Sequence, residues 1–280
     1  MRPVSRLANY AVFPKARTIA LCFLAMASLF FTSLAQHVRA GPSSEKPIVV
    51  LVHGAFADSS SWNGVATRLL SKGYTVVAVA NPLRGVESDG KYVAGVLDSV
   101  HGPVILVGHS YGGNVITNAA AGKSNVKALV FVAGLAPDLG ESAATLSGKY
   151  PGSTLGPTLA APVPLADGGK DLYIKQQNFH AQFAADVPPA QAVQMAVAQP
   201  PITEAALKEP SGAPAWKTIP SYFIYGSRDK NIPPALQPFM AERAHARKIV
   251  EIPGASHVVM ISHPDAVARV IEEAAAATSE

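Results

Sequence analysis

The stretch Val104-Ile105-Leu106-Val107-Gly108-His109-Ser110-Tyr111-Gly112-Gly113 constrains the fold more than any other part of the 280 residues. Its apolar first half reads as a buried strand. The residues from Tyr111 to about Ala121 read as a helix that stops at Gly122. A chain that passes from strand to helix within so few residues needs glycine on both sides of the turn, because Cβ atoms there would collide. The residue at the apex is then held in a strained conformation, its side chain exposed and its N–H at a helix N-terminus. With serine at the apex, the chain presents a hydroxyl nucleophile beside an anion-binding position.

The neighbouring sequence repeats the same rhythm. Ile48 to Val52 is a second buried-strand run, and Trp62, Val65, Ala66, Leu69 and Leu70 then fall at helical spacing before Gly73. Strands follow at Tyr74 to Ala80 and Val126 to Ala133, with a weaker helix over Asp89 to Val100. Between Pro137 and Trp216 the rhythm stops. Eighty residues without strand signals are too many for a loop, and the stretches Asp171 to Phe183 and Pro189 to Val197 read as helices, so residues 137–217 are expected to form an inserted helical cap. Alternation resumes with the strand Ser221 to Tyr225, a helix near Pro234 to Ala244 and the strand Lys248 to Ile252. The closing helix carries Ser262 and Asp265 at capping-box spacing, with Pro264 in its first turn. Strands alternating with helices make a mostly parallel, doubly wound α/β sheet, with residues 41–136 and 218–280 as its core.

The net charge of +4 is misleading about partners. Residues 1–40 hold Arg2, Arg6, Lys15, Arg17 and Arg39 and no acid, so the remainder carries 18 basic against 19 acidic residues. No nucleic-acid surface follows from such a balance. The same 40 residues read as a secretory signal: a basic start, an apolar stretch from Thr18 to about Ala35, and Val38-Arg39-Ala40 as a small-x-small cleavage pattern. Retention as a membrane anchor is the alternative; cleavage after Ala40 predicts a periplasmic or secreted protein with no stable membrane association. Cleavage also removes Cys22, the single cysteine, and the histidines lack metal-ligand spacing, so no metal is expected.

A serine nucleophile needs a base, and the base needs an orienting group. In an open parallel sheet these come from loops at the carboxyl ends of strands. Asp229 lies in the loop after Tyr225-Gly226, and His257 in Gly254-Ala255-Ser256-His257 after Ile252. Asp138, after the strand ending at Ala133, is a second well-placed acid, and His263 competes with His257.

Val52-His53-Gly54-Ala55, Gly108-His109-Ser110-Tyr111-Gly112, Gly226-x-x-Asp229 and Gly254-Ala255-Ser256-His257 together resemble the α/β-hydrolase superfamily, over essentially all of residues 47–277. The first of these pieces, Gly108 to Gly113 and Ser256 to Ser262 are most similar to small esterases of the plant methyl-esterase and hydroxynitrile-lyase group and their bacterial relatives. The resemblance implies Ser110 as nucleophile, His257 as base and Asp229 as its orienter. It implies the Tyr111 N–H as one oxyanion donor and the N–H of Ala55, or of neighbouring Phe56, as the other. The implied activity is hydrolysis of small to medium apolar esters, without cofactor, through an acyl-enzyme. Ser110 in place of an elbow aspartate disfavours epoxide and haloalkane hydrolysis, and Val258 where the plant lyases carry lysine disfavours cyanohydrin cleavage. Perhydrolase or haloperoxidase chemistry, lactone hydrolysis and carbon–carbon hydrolysis stay open, as does a ligand-binding protein on the same scaffold. His180, Tyr173, Phe179 and Phe183 are candidates for the acyl pocket, against the alternative of a small helical core.

Overall fold

The computed structural model describes residues 46–278. The leader expected over residues 1–40 lies outside them. In chain order the first elements are β1 (Ile48–Val52), α1 (Asn63–Ser71), β2 (Val76–Val79), α2 (Val86–Ser99), β3 (Val104–His109), α3 (Gly112–Ala119) and β4 (Val126–Val132). There follow α4 (Ala143–Ser147), α5 (Leu155–Thr158), β5 (Val163–Pro164), β6 (Lys170–Leu172), α6 (Gln176–Phe183), α7 (Pro189–Ala198), β7 (Ile202–Thr203) and α8 (Glu204–Lys208). The last elements are β8 (Ser221–Gly226), α9 (Leu236–Arg243), β9 (Lys248–Ile252), α10 (Val259–Ser262) and α11 (Pro264–Ala276).

Six strands form a parallel sheet in the order β2-β1-β3-β4-β8-β9. The order follows from the residues. β3 and β8 are buried at every position, and β1 and β4 at all but one, as strands covered on both faces must be. β2 and β9 carry exposed and half-buried residues and take the two edges. The sheet reverses its winding where β3 returns to the far side of β1 from β2. A crevice opens at such a reversal, outside the carboxyl ends of the two strands. Gly54 and Ser110 sit there.

Local signals were overridden in four places. Leu70 is 57% exposed, so the buried stripe of α1 is Val65 and Leu69. α2 starts at Val86 rather than Asp89, because the Glu209 carboxylate, far along the chain, accepts the N–H groups of Val86 and Glu87. The capping box expected at α11 does not form: Ser262 Oγ lies 2.9 Å from His263 Nδ1, and Asp265 pairs with Arg68 of α1. Finally, the segment between β4 and β8 is not purely helical. β5, β6 and β7 make a small antiparallel sheet, and the helix expected from Asp171 begins only at Gln176. That sheet is tied to the β2–α2 loop by Arg84 Nη1 on Asp171 Oδ1 (2.7 Å) and by the Thr203 N–H on Leu83 O (3.1 Å).

Candidate active site

The turn between β3 and α3 holds Ser110 at φ +52°. A side-chain-bearing residue in this left-handed region costs about 1–2 kcal/mol. Its backbone is pinned on both sides. The Ser110 N–H donates to Val132 O (3.3 Å), and its carbonyl accepts from Gly113 N (2.9 Å) and Leu135 N (3.1 Å). Glycine at 108 is required by contact: a Cβ there would lie 2.6 Å from the Gly112 carbonyl oxygen. A Cβ on Gly54 would lie 2.6 Å from the Ser110 Cβ, so the loop leaving β1 runs directly against the serine.

That loop is fixed by His53. The Asn81 N–H donates to His53 Nε2 and His53 Nδ1 faces Gly54 O, each at 3.0 Å, so the proton resides on Nδ1 and the ring is neutral. Burial agrees, holding the His53 pKa below the ordinary histidine value. The next residues, Ala55 and Phe56, are buried, and Phe56 sits at φ +59°. No backbone carbonyl among the described residues accepts the N–H of Ala55, Phe56 or Tyr111.

Asp229 and His257 come together from the β8 and β9 loops. Both are buried, with His257 Nδ1 2.6 Å from Asp229 Oδ2. The other carboxylate oxygen, Oδ1, accepts the N–H groups of Asn231 (2.8 Å) and Ile232 (3.0 Å). An acceptor at Nδ1 places the histidine proton there and leaves Nε2 as the basic nitrogen. Nε2 has no hydrogen-bond partner among the described residues. Ser110 and His257 line one cavity of about 130 Å³.

His109, the residue before the serine, packs against His257. Its Nε2–H donates to the His257 carbonyl (3.2 Å), and the two rings lie 4.8 Å apart. Desolvation holds the His109 pKa well below the histidine value, and the neighbouring His257 lowers it further. Ser256, before His257, donates to Asp186 in the loop after α6. The competing residues lie elsewhere. Asp138 pairs with Lys217 (2.7 Å), and His263 caps α11 with its Nδ1 3.6 Å from Asp186.

Of the four candidates for the acyl pocket, Phe183 alone lines this cavity, its ring 5.1 Å from that of His257. Phe179 is buried 4.9 Å from Phe183, His180 Nε2 faces the Val187 carbonyl (2.9 Å), and the Tyr173 carbonyl accepts the Ala160 N–H. Phe179 and His180 belong to the packing of the inserted segment, because α6 turns only one narrow face to the cavity, and Tyr173 lies ahead of α6 and outside the cavity lining. Two features escaped the sequence. Asn231 lines the cavity, and the Tyr111 hydroxyl donates to Asp89 Oδ2 (2.9 Å), a fully buried carboxylate that also accepts the Arg84 N–H. Burial raises the Asp89 pKa against these hydrogen bonds and also raises that of Tyr111. The Asp229-x-Asn231 spacing, which suits a side chain capping its own turn, was the only signal for the first.

Residues 49–270 match the alpha/beta hydrolase family. An alpha/beta hydrolase of Aspergillus novofumigatus is 26% identical over 254 residues, covering 82% of this chain and 97% of that protein. The alpha-hydroxynitrile lyase of Arabidopsis thaliana is 26% identical over 237 residues, covering 77% and 92%. Among solved structures, polyneuridine aldehyde esterase superposes with a TM-score of 0.71 at 20% identity, covering 81% of this chain and 98% of the other. The family match spans most of the chain and includes the serine turn, and on that ground the chain belongs to the alpha/beta hydrolase family.

Proposed function

We propose that the protein is a serine esterase that cleaves small, largely apolar carboxylic esters through an acyl-enzyme. The observation that carries this reading is the convergence of a strained serine and a carboxylate-oriented histidine on one apolar cavity. Ser110 Oγ attacks the ester carbonyl as His257 Nε2 takes the hydroxyl proton. Asp229 holds the imidazole and stabilises the imidazolium that forms. The oxyanion develops beside the free N–H groups of Tyr111 and of Ala55 or Phe56, at the N-terminus of α3. Collapse expels the alcohol, which leaves with the proton from His257. Water then attacks the acyl-enzyme with His257 again as base, releasing the acid and restoring Ser110.

The cavity volume of about 130 Å³ supports a small substrate, and its mainly apolar wall supports an uncharged one. The likeness to a solved esterase agrees with this reading. The likeness to a hydroxynitrile lyase carries less weight, since buried Val258 supplies no cation beside His257. The leader pattern in residues 1–40 supports action outside the cytosol. The test is hydrolysis of a graded series of alkyl esters by the purified protein and by Ser110→Ala. The reading expects activity on short chains and a loss of at least about 10³-fold in the variant. Equal activity in both proteins overturns it.

A further inference from the structure

Asp89 is a fully buried carboxylate on α2 that takes no part in the acyl-transfer steps. The Arg84 N–H donates to both its oxygens, each at 3.1 Å, and Oδ2 also accepts from the Tyr111 hydroxyl at 2.9 Å. Holding the Arg84 N–H at the start of α2 needs only one acceptor, and a short polar side chain at the surface would supply it. A carboxylate taken wholly out of water is costly unless its bonds offset the loss. Desolvation raises the Asp89 pKa in spite of those bonds. The bond that helix capping does not account for is the one to Tyr111.

Tyr111 follows the strained Ser110 directly and is the N-cap residue of α3, at φ −55°. It is buried, it lines the cavity beside Ser110, and no backbone carbonyl among the described residues accepts its N–H. The direction of that N–H is tied to the direction of the ring, because rotation about the Tyr111 N–Cα bond turns the Ser110–Tyr111 peptide plane relative to Cβ. A ring held at one end by α3 and at the other by Asp89 resists that rotation. Groups that act on a transition state must stay within about 10–20° of their productive direction. The far end of the anchor is firm as well. Arg84, whose N–H serves Asp89, is held to the inserted segment by Nη1 on Asp171 Oδ1 (2.7 Å) and Nη2 on the Pro201 carbonyl (2.8 Å). Thr203 Oγ1 in turn donates to the Arg84 carbonyl (2.9 Å). We propose that Asp89 is a positioning residue, which through the Tyr111 hydroxyl holds the Tyr111 N–H in line with the oxyanion. This rests on the serine-esterase reading.

The experiment is a double-mutant cycle of Tyr111→Phe and Asp89→Ala, read by ester kinetics at a temperature where all four proteins are folded. Inhibition by a trifluoromethyl ketone, whose serine adduct carries an oxyanion, is compared with inhibition by an ether of similar shape that forms no adduct. Tyr111→Phe is expected to lower kcat about tenfold with little change in KM, short of the roughly 10²–10³-fold that follows outright loss of such a donor. Affinity for the ketone is expected to fall by the same factor while affinity for the ether holds. Asp89→Ala is expected to slow turnover in wild type and to add nothing to Tyr111→Phe. A role confined to capping α2 would act equally in both backgrounds and would not separate the ketone from the ether. Wild-type turnover in Tyr111→Phe, a loss confined to KM, or equal slowing by Asp89→Ala in both backgrounds overturns the role of Asp89. Tyr111→Phe and the two inhibitors decide alone where Asp89→Ala does not fold. Fluorophosphonate labelling of Ser110 in the same wild-type preparation separates the two readings. Labelling together with an unaffected Tyr111→Phe removes only this inference, whereas absence of labelling removes the esterase reading and this inference with it.

Discussion

The Asp229 carboxylate is divided between two tasks, with Oδ2 2.6 Å from His257 Nδ1 and Oδ1 receiving two backbone N–H groups of its own turn. The second task fixes the outcome of a conservative substitution. In Asp229→Asn the amide oxygen must stay with the Asn231 and Ile232 N–H groups, so Nδ2 faces His257. An N–H there demands an unprotonated Nδ1 and drives the imidazole proton to Nε2, where it can no longer accept from Ser110. Turnover of a good ester is expected to fall about 10⁴-fold with little change in stability. A loss under tenfold contradicts the role of Asp229.

Tyr111 joins the serine turn to buried Asp89 through its hydroxyl. Tyr111→Phe leaves that carboxylate one partner short, which costs about 1–3 kcal/mol of stability. The pH dependence has a definite sign. The lost bond favoured the charged form, so the variant raises the folded-state pKa of Asp89 further above its unfolded value. The folded state then holds the proton more tightly than the unfolded state, and stability falls as pH rises from the ordinary carboxylate range through the raised value. Urea denaturation is expected to show a gap between variant and wild type that is small near pH 4 and widens toward neutrality. A gap of constant size contradicts the assignment.

His53 and His109 are both neutral in the fold, with pKa values lowered chiefly by burial. The unfolded chain binds protons at these positions below about pH 6.5 while the folded one does not. Stability is therefore present above that pH and lost as pH falls toward the depressed values, by up to about 1.4 kcal/mol per pH unit for each histidine. His53→Gln keeps an acceptor for the Asn81 N–H and is expected to flatten the stability profile between pH 6.5 and 5. An unchanged slope contradicts the neutral assignment.

Phe56 lines both the cavity beside Ser110 and a cleft of about 340 Å³ whose wall includes Met195, Ala198 and Ile261 beside Gln191 and Gln194. Its ring meets Phe183 edge-on at 6.2 Å. Phe56→Ala keeps the backbone N–H and removes the ring from both walls. The kcat/KM ratio of long to short acyl chains is expected to rise by about tenfold, a gain of order 1–2 kcal/mol for newly buried methylenes. An unchanged ratio contradicts the view that Phe56 sets the cavity's length.

Features written in contiguous residues were legible. The buried runs of β1, β3, β4 and β8 announced the parallel sheet, and Gly108 to Gly113 announced the serine turn. Asp229 and His257 could be found because topology sends both loops to one end of the sheet. What stayed hidden depends on distant partners. Glu209 caps α2 from more than 120 residues away, and Asp265 leaves its expected cap for Arg68. β5, β6 and β7 are two or three residues long, too short for a period of two to register.

Treatment of the folded protein with a fluorophosphonate, followed by mass spectrometry of its peptides, reads the nucleophilicity of Ser110 and its dependence on His257 and Asp229. A single phosphonyl adduct on Ser110 is expected, formed rapidly in wild type, absent in Ser110→Ala and strongly slowed in Asp229→Asn. An unlabelled folded wild type, or an adduct that persists after Ser110→Ala, contradicts a nucleophilic Ser110.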